Sequence, residues 1–253
     1  MAGEIFSRYE LKYLISFDVY QALVERLQGK MVYDKYGDAE GKYNIISLYF
    51  DSPDQKIYYE TRNKLRFRQK LRMRIYNSAT LDDNAYFEVK KKYKKRVNKR
   101  RTSINLRDAY QYIYNQLEPN QKISISNQQI FNEIDSFRNL YDLRPENIVS
   151  YDRQAFMGVT DPDLRVTFDY NLRCRKDDLR IEHGPHGYHF VDPNLVVLEV
   201  KVNHSVPLWL SRVLSELECP KKSVSKFCTS VDLLAEKMNE DMSTEKIALR
   251  ATV

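Results

Sequence analysis

The sequence predicts an α+β fold in which a mostly antiparallel sheet closes into a barrel-like tunnel with a charged interior and helices packed outside. Three observations predict it. Strand-like segments alternate with period two, so each presents two unlike faces. On several of them the polar face carries charges of both signs with basic residues in excess: Arg72 and Arg74 in LRMRIY, Glu88 and Lys90 in YFEVK, Arg165 and Asp169 in LRVTFDY, Glu199 and Lys201 in VVLEVKV. Between them lie amphipathic helical segments whose apolar stripes need an apolar surface to cover. Helices on the apolar face turn the charged face inward, and closure removes the sheet edges. So many charges cannot be buried dry without a large desolvation penalty. The interior is therefore expected to be wet and to suit an extended, highly charged anion.

The elements follow in order. IFSRYELKYLI (residues 5–15) reads as a first strand, with Arg8, Glu10 and Lys12 on one face and Tyr9, Leu11 and Tyr13 on the other. Ser16 then caps a helix to about Gln28, closed by Gly29. Residues 43–50 are rich in tyrosine and β-branched side chains and form a second strand. Asp51-Ser52-Pro53 opens a short helix ending near Arg62. Residues 65–101 hold a hairpin whose arginines repeat at next-neighbour spacing, and a further strand runs from Val97 to Asn105. Like charges side by side destabilise a sheet, so this row implies a bound polyanion. Residues 106–117 and 129–140 read as helices, and 147–156, 164–170 and 196–202 as strands. Residues 181–191 read as a hairpin tip, 207–217 and 223–238 as helices, and the polar end beyond Asn239 as a frayed tail. Residues 1–240 are expected to form one domain, followed by a polar tail over 241–253.

Composition narrows the function. The 253 residues carry a formal charge of +6 and a pI near 9.0, which favours an anionic partner. Three cysteines without metal-type spacing suit a reduced, cytoplasmic protein. No run is long and apolar enough to span a membrane, and the first residues lack the apolar core of a signal peptide. A Gly-rich loop before Lys-Ser/Thr and a nucleophile elbow are both missing, which excludes P-loop and serine-hydrolase chemistry. In the run from Lys90 to Arg101, Lys90 and one or two of Lys99, Arg100 and Arg101 suit the interior, and the others suit an exposed basic tip. Glu10, Glu88 and Glu199 each sit two residues from an interior lysine. They read either as a structural ion-pair lattice or as ligands of Mg²⁺ or Mn²⁺ beside phosphates. His183, His186 and His189 fall in a loop with glycine and proline and read as exposed side chains, not as a metal site.

RYELKY, RMRIY, FEVK, YDRQAF, RVTFDYNL, LEVKV and SKF, in this order, resemble the VTC domain over residues 6–234. That domain is the polyphosphate polymerase domain of the vacuolar transporter chaperone and belongs to the triphosphate tunnel metalloenzymes. The resemblance implies a helix-wrapped antiparallel β tunnel in which ATP donates its γ-phosphate to a growing polyphosphate chain. It places phosphate-binding basics at Lys12, Arg62, Arg72, Arg74, Lys90, Arg153 and Arg165, with either Lys99 or Arg100 as a further one. Lys226 matches a late tunnel lysine, Lys201 shares the face of Glu199, and Glu199 itself matches the ligand of a Mn²⁺ or Mg²⁺ cofactor. Arg72, Arg74, Lys90, Arg153 and Arg165 are expected to clamp the triphosphate, with Lys12 and Arg62 lining the path. Glu10 and Glu88 are candidate accessory carboxylates. Two departures stand out: Arg8 occupies the first position of the E-x-E-x-K motif of other tunnel branches, and Ser223 stands where a second late lysine is expected. The eukaryotic relatives carry further domains and membrane spans, so export of product by this chain alone is not expected, and a membrane-protein partner stays open. Hydrolysis of triphosphate or nucleoside triphosphate in the same tunnel is the second reading. A non-catalytic polyphosphate or nucleic-acid module ranks last, because the cations repeat along strand interiors and form no outward stripe.

Overall fold

A computed structural model describes the backbone of residues 5–94, 96–118 and 121–251, and the side chains of 9–94, 97–118 and 121–240. The strands are β1 (Ile5–Ser16), β2 (Met31–Tyr33), β3 (Lys42–Asp51), β4 (Phe67–Tyr76), β5 (Asn84–Tyr93), β6 (Arg96–Asn105), β7 (Arg144–Gly158), β8 (Arg165–Arg175), β9 (Tyr188–His189) and β10 (Leu195–Val202). The helices are α1 (Phe17–Leu27), α2 (Lys56–Arg62), α3 (Leu106–Ile113), α4 (Gln128–Tyr141), α5 (Leu208–Glu216) and α6 (Lys226–Ala251). All described strands belong to one sheet in the order β2-β7-β3-β4-β5-β6-β1-β10-β8-β9, with an additional β7–β8 pairing. Every pairing is antiparallel. β7 therefore meets β3 through residues 144–154 and β8 through residues 148–157.

Local chemistry explains most boundaries. Ser16 Oγ accepts from the Val19 amide and starts α1 as expected, and Gly29 follows the helix at φ +73°. The short helix expected at Pro53 begins later, at Lys56. The buried Asp51 carboxylate accepts from the Ile57 and Tyr58 amides and so fixes the first turn from outside the helix. β4 to β6 form a long tongue, because residues 67–76 and 84–105 alternate with only a seven-residue break and one tight turn. The expected hairpin tip at 181–191 is instead a 3₁₀ turn over Ile181–His183 followed by the two-residue β9 on the edge of β8. Buried Arg175 dictates that shape: its guanidinium donates to the carbonyls of Asp178, Arg180, Gly184 and His186 and wraps the loop around itself. α6 continues to Ala251, beyond the frayed end expected after Asn239.

The core lies between the sheet and its helices. Tyr20, Leu23 and Leu27 of α1 and Leu210, Val213 and Leu214 of α5 pack with Ile15, Val166, Phe168, Val196, Leu198 and Val200. Leu71, Met73, Phe87 and Val89 of the tongue pack with Ala109 and Ile113 of α3 and with Ile130, Phe131 and Ile134 of α4. These sheet residues have the parity opposite to Arg72, Arg74, Glu88 and Lys90. The helices thus cover the apolar face and leave the charged one turned away from them.

Candidate active site

The register brings the charged positions into rows. Across neighbouring strands Tyr49 faces Arg72, Arg72 faces Glu88, and Lys90 faces both Lys70 and Lys99. Further round the sheet Lys12 faces Glu199, Lys201 faces Arg165, and Arg153 faces Asp169. Two clusters result.

The first is centred on Glu88, which is only 1% exposed. Arg72 Nε donates to its Oε2 at 2.7 Å, Lys99 Nζ lies 2.5 Å from Oε1, and Arg74 Nη1 lies 3.8 Å away. Arg72 also donates to Tyr49 Oη, and Arg74 to Ser47 Oγ and Tyr151 Oη. Burial would raise the Glu88 pKa, but Lys99, Arg72 and Arg74 hold it well below the usual carboxylate range.

The second cluster holds Glu199 and Asp169. Lys12, Lys201, Lys226 and Arg153 surround Glu199 at 2.7, 2.6, 3.3 and 3.7 Å. Arg153 binds Asp169 through two parallel hydrogen bonds of 2.6 and 2.8 Å, and Lys226 reaches the same carboxylate at 2.6 Å. Lys12 bridges on to Glu10 at 2.9 Å, and Glu10 pairs with Lys90 at 3.1 Å. Both Glu199 and Asp169 are held ionised by these cations in spite of burial.

The start of α6 joins the two walls. Phe227 stacks on Tyr49 of β3 at 5.2 Å, and Ser225 accepts from Lys70 of β4. Lys226 reaches Asp169 of β8 and Glu199 of β10. This segment therefore links β3 and β4 to β8 and β10.

Three lysines show how crowded this interior is with positive charge. Burial, with Arg72 and Arg74 nearby, lowers Lys99 to about 7 although Glu88 opposes the shift. Burial lowers Lys70 and Lys201 to about 8 each. Tyr49 moves in the opposite sense to an ordinary buried phenol: burial would raise it, but Arg72, Arg74 and Lys70 bring it down to about 8. Lys12, Lys226, Arg72 and Arg153 shift upward in spite of burial, because a carboxylate lies against each of them.

Most of the expected residues come together here: Lys12, Arg72, Arg74, Lys90, Lys99, Arg153, Lys201, Lys226, Glu10, Glu88 and Glu199. Arg165, the register partner of Lys201, turns its guanidinium to Asp34 and donates to Tyr43 Oη at 3.0 Å. Of the alternatives Lys99 and Arg100, the structure turns Lys99 inward, and Arg62 does not join the others. Arg100 lies on the opposite face of β6 from Lys99 and pairs with Glu133 of α4 at 2.6 Å, because alternation sends neighbouring residues to opposite faces. Arg62 stands at the end of α2 with 58% of its side chain exposed and pairs with Asp232 of α6, away from the interior. Ser223 and Lys222 are both exposed on the segment leading into α6, so neither supplies a second late cation. His183 and His186 lie against Asp178, and His189 against Arg173, all exposed.

Several interior residues were not singled out by sequence. Lys70 was within reach, since it shares parity with Arg72 and Arg74. Tyr43, Ser47 and Tyr49 were not, because KYNIISLYFD is apolar on both faces and its parity carries no signal. Tyr151 sits two residues before Arg153 on the same face and could have been found from that spacing.

Among the described residues no group of three or more His, Cys, Asp or Glu is placed to hold a metal ion. The donor set fits a hard cation only in company with phosphates: one or two carboxylates, completed by substrate oxygens and water, is the usual arrangement for Mg²⁺. Glu199 meets that requirement. Both of its oxygens are engaged by ammonium groups, Oε1 by Lys12 and Lys226 and Oε2 by Lys201.

A family model described as the VTC domain matches residues 7–235. The chain belongs to that family. Among curated proteins, the VTC-domain chain is 24% identical over 204 residues to vacuolar transporter chaperone complex subunit 4 of Trypanosoma cruzi, covering 68% of this chain and 25% of that protein. The subunit 4 of Trypanosoma brucei brucei is 23% identical over 259 residues, covering 85% and 32%. The chain thus spans a quarter to a third of the length of these relatives. Two solved structures share the fold. One is a candidate adenylate cyclase from Bacillus halodurans, with a TM-score of 0.52, 12% identity and coverage of 88% of this chain and 96% of that one. The other is a candidate adenylyl cyclase from Hippeastrum described as having a dominant triphosphatase activity, with a TM-score of 0.51, 14% identity and coverage of 89% and 95%. Among the described residues no helix is long and apolar enough to cross a membrane.

Proposed function

We propose that this VTC-domain chain is a polyphosphate polymerase that transfers the γ-phosphoryl group of ATP to the end of an inorganic polyphosphate chain. The observation that carries the reading is the excess of interior cations around Glu88, Glu199 and Asp169. The β7–β8 pairing, added to the continuous strand order, supports a closed tunnel as the setting. The attacking group is a phosphate oxygen already ionised at neutral pH, so no protein base is required. Rate enhancement then rests on position and charge neutralisation. Phosphates lying between Arg72 and Arg74 of the first cluster and Lys12, Arg153, Lys201 and Lys226 of the second would meet cations from both. Glu199, with Glu10 close by through Lys12, would hold a Mn²⁺ or Mg²⁺, which would supply further neutralisation of phosphate charge. Free thiols at Cys174, Cys219 and Cys228 support a cytoplasmic setting.

The deciding experiment incubates the protein with ATP and Mn²⁺ and measures polymer and orthophosphate in one tube. Polymer that disappears in Glu199→Gln is expected. Wild-type turnover in that variant removes Glu199 from the site. Orthophosphate without polymer moves the reaction to hydrolysis, a second reading favoured by Tyr49: with the phenol lowered to about 8, its phenolate could take the proton from an attacking water.

A pH dependence follows from the lysines. Lys99 is lowered to about 7 and Lys70 and Lys201 to about 8, and a bound polyanion draws each back towards the charged form. Tripolyphosphate binding at pH 8 should therefore take up protons, and affinity should fall as pH rises from about 7 to about 9. Calorimetry in two buffers of different ionisation heat measures the uptake. Equal heats in both would show that these lysines do not meet the ligand.

A further inference from the structure

We propose that the free end of the β4–β5–β6 tongue is a docking surface for an anionic lipid membrane. This does not rest on the phosphotransfer reading. The outer face of the tongue is apolar and helix-covered through Leu71, Met73, Phe87 and Val89, and α4 still reaches Lys91 through Glu133. One rung further, Phe67 and Tyr93 are register partners, and they are 47% and 51% exposed. Leu65, just before β4, is 47% exposed. Beyond the polar Gln69–Lys91 rung, three apolar side chains thus stand open to solvent at the end of this face.

Charge surrounds them. Residues 64–70 and 90–96 contain ten Lys or Arg and no Asp or Glu; Lys70 and Lys90 turn to the interior and Lys91 to Glu133, while Lys64, Arg66 and Lys94 are exposed beside the apolar groups. The Arg66 guanidinium lies 5.3 Å from the centre of the Tyr93 ring and Lys94 Nζ 5.6 Å from it. The Lys94 amide donates to the Arg66 carbonyl at 2.9 Å, which holds the two segments together at the turn.

Rings and aliphatic groups set among long basic side chains match the two layers of an anionic bilayer surface. The cations meet lipid headgroups, and the apolar groups reach the acyl boundary beneath them. A polyphosphate chain would satisfy the charges but leaves Leu65 and Phe67 without a role. A single-stranded nucleic acid would stack on Phe67 and Tyr93 but offers nothing to Leu65. The three apolar groups together favour the membrane.

The test is flotation of the full chain with vesicles of phosphatidylcholine alone or with phosphatidylserine added. Binding to the serine-lipid vesicles should exceed binding to neutral ones by about tenfold or more and weaken in high salt. The triple variant Leu65→Ser/Phe67→Ser/Tyr93→Ser should lose about tenfold in binding. Lys64→Glu/Arg66→Glu/Lys94→Glu should abolish it. Thermal melting of both variants should match the parent, since these side chains are exposed. The proposal is overturned if the parent ignores anionic vesicles, or if the serine variant binds them as well as the parent does. It is equally overturned if a single-stranded oligonucleotide binds through these residues while vesicles do not.

Discussion

Glu88→Ala is expected to lower stability by about 3 kcal/mol, seen as a fall of about 6–12 °C in the melting temperature. The reason is local. Glu88 is shielded from solvent and compensates Arg72 and Lys99 directly and Arg74 at longer range. Without it three cations face one another across neighbouring strands. Lys99 can escape by losing its proton, since it already sits near 7, and this keeps the loss at the low end for a broken buried ion pair. The two arginines have no such exit. Tripolyphosphate should restore most of the lost melting temperature, because an anion then stands where the carboxylate stood. If thermal melting of the variant ignores tripolyphosphate, the Arg72–Arg74–Lys99 group is not where phosphate binds.

Arg74→Ala should do the reverse, leaving the fold and removing the activity. Glu88 keeps Arg72 and Lys99 at short range when Arg74 goes, and Ser47 and Tyr151 lose only one donor each. The guanidinium is a fixed multi-donor fork of the kind that stabilises phosphoryl transfer. Losing one such donor is expected to reduce turnover by about 10²–10³-fold. Polymer formation from ATP, measured beside the melting temperature, separates the two effects. An Arg74→Ala protein that melts normally and retains parental turnover would exclude Arg74 from the chemistry. Arg74→Lys should recover little, since an ammonium cannot reproduce the fork.

The site was legible where alternation was strict. In LRMRIY and FEVK the parity assigned Arg72, Arg74, Glu88 and Lys90 to one face, and the structure keeps them there. Lys99 and Arg100 could not be separated by composition, because both are basic and adjacent. Only the register of β6 against β5 turns Lys99 towards Glu88 and Arg100 towards α4. Arg62 was misplaced for a related reason. On a helix its direction depends on what the helix packs against, and α6 offered Asp232. The histidine loop was read as exposed, and so it is. Its shape came from Arg175, whose burial no local pattern announces.

What the sequence determined by itself was the two-faced strand, since side-chain direction in extended backbone follows from parity alone. It also determined that the charged face could not be a dry core. The tertiary structure decided the partners: which strands stand side by side, which carboxylate each cation meets, and that Lys226 on α6 crosses to Asp169 and Glu199. Those contacts join residues 27 to 187 positions apart. Pairing at such separations is set by sheet register and helix packing, and both are properties of the whole chain.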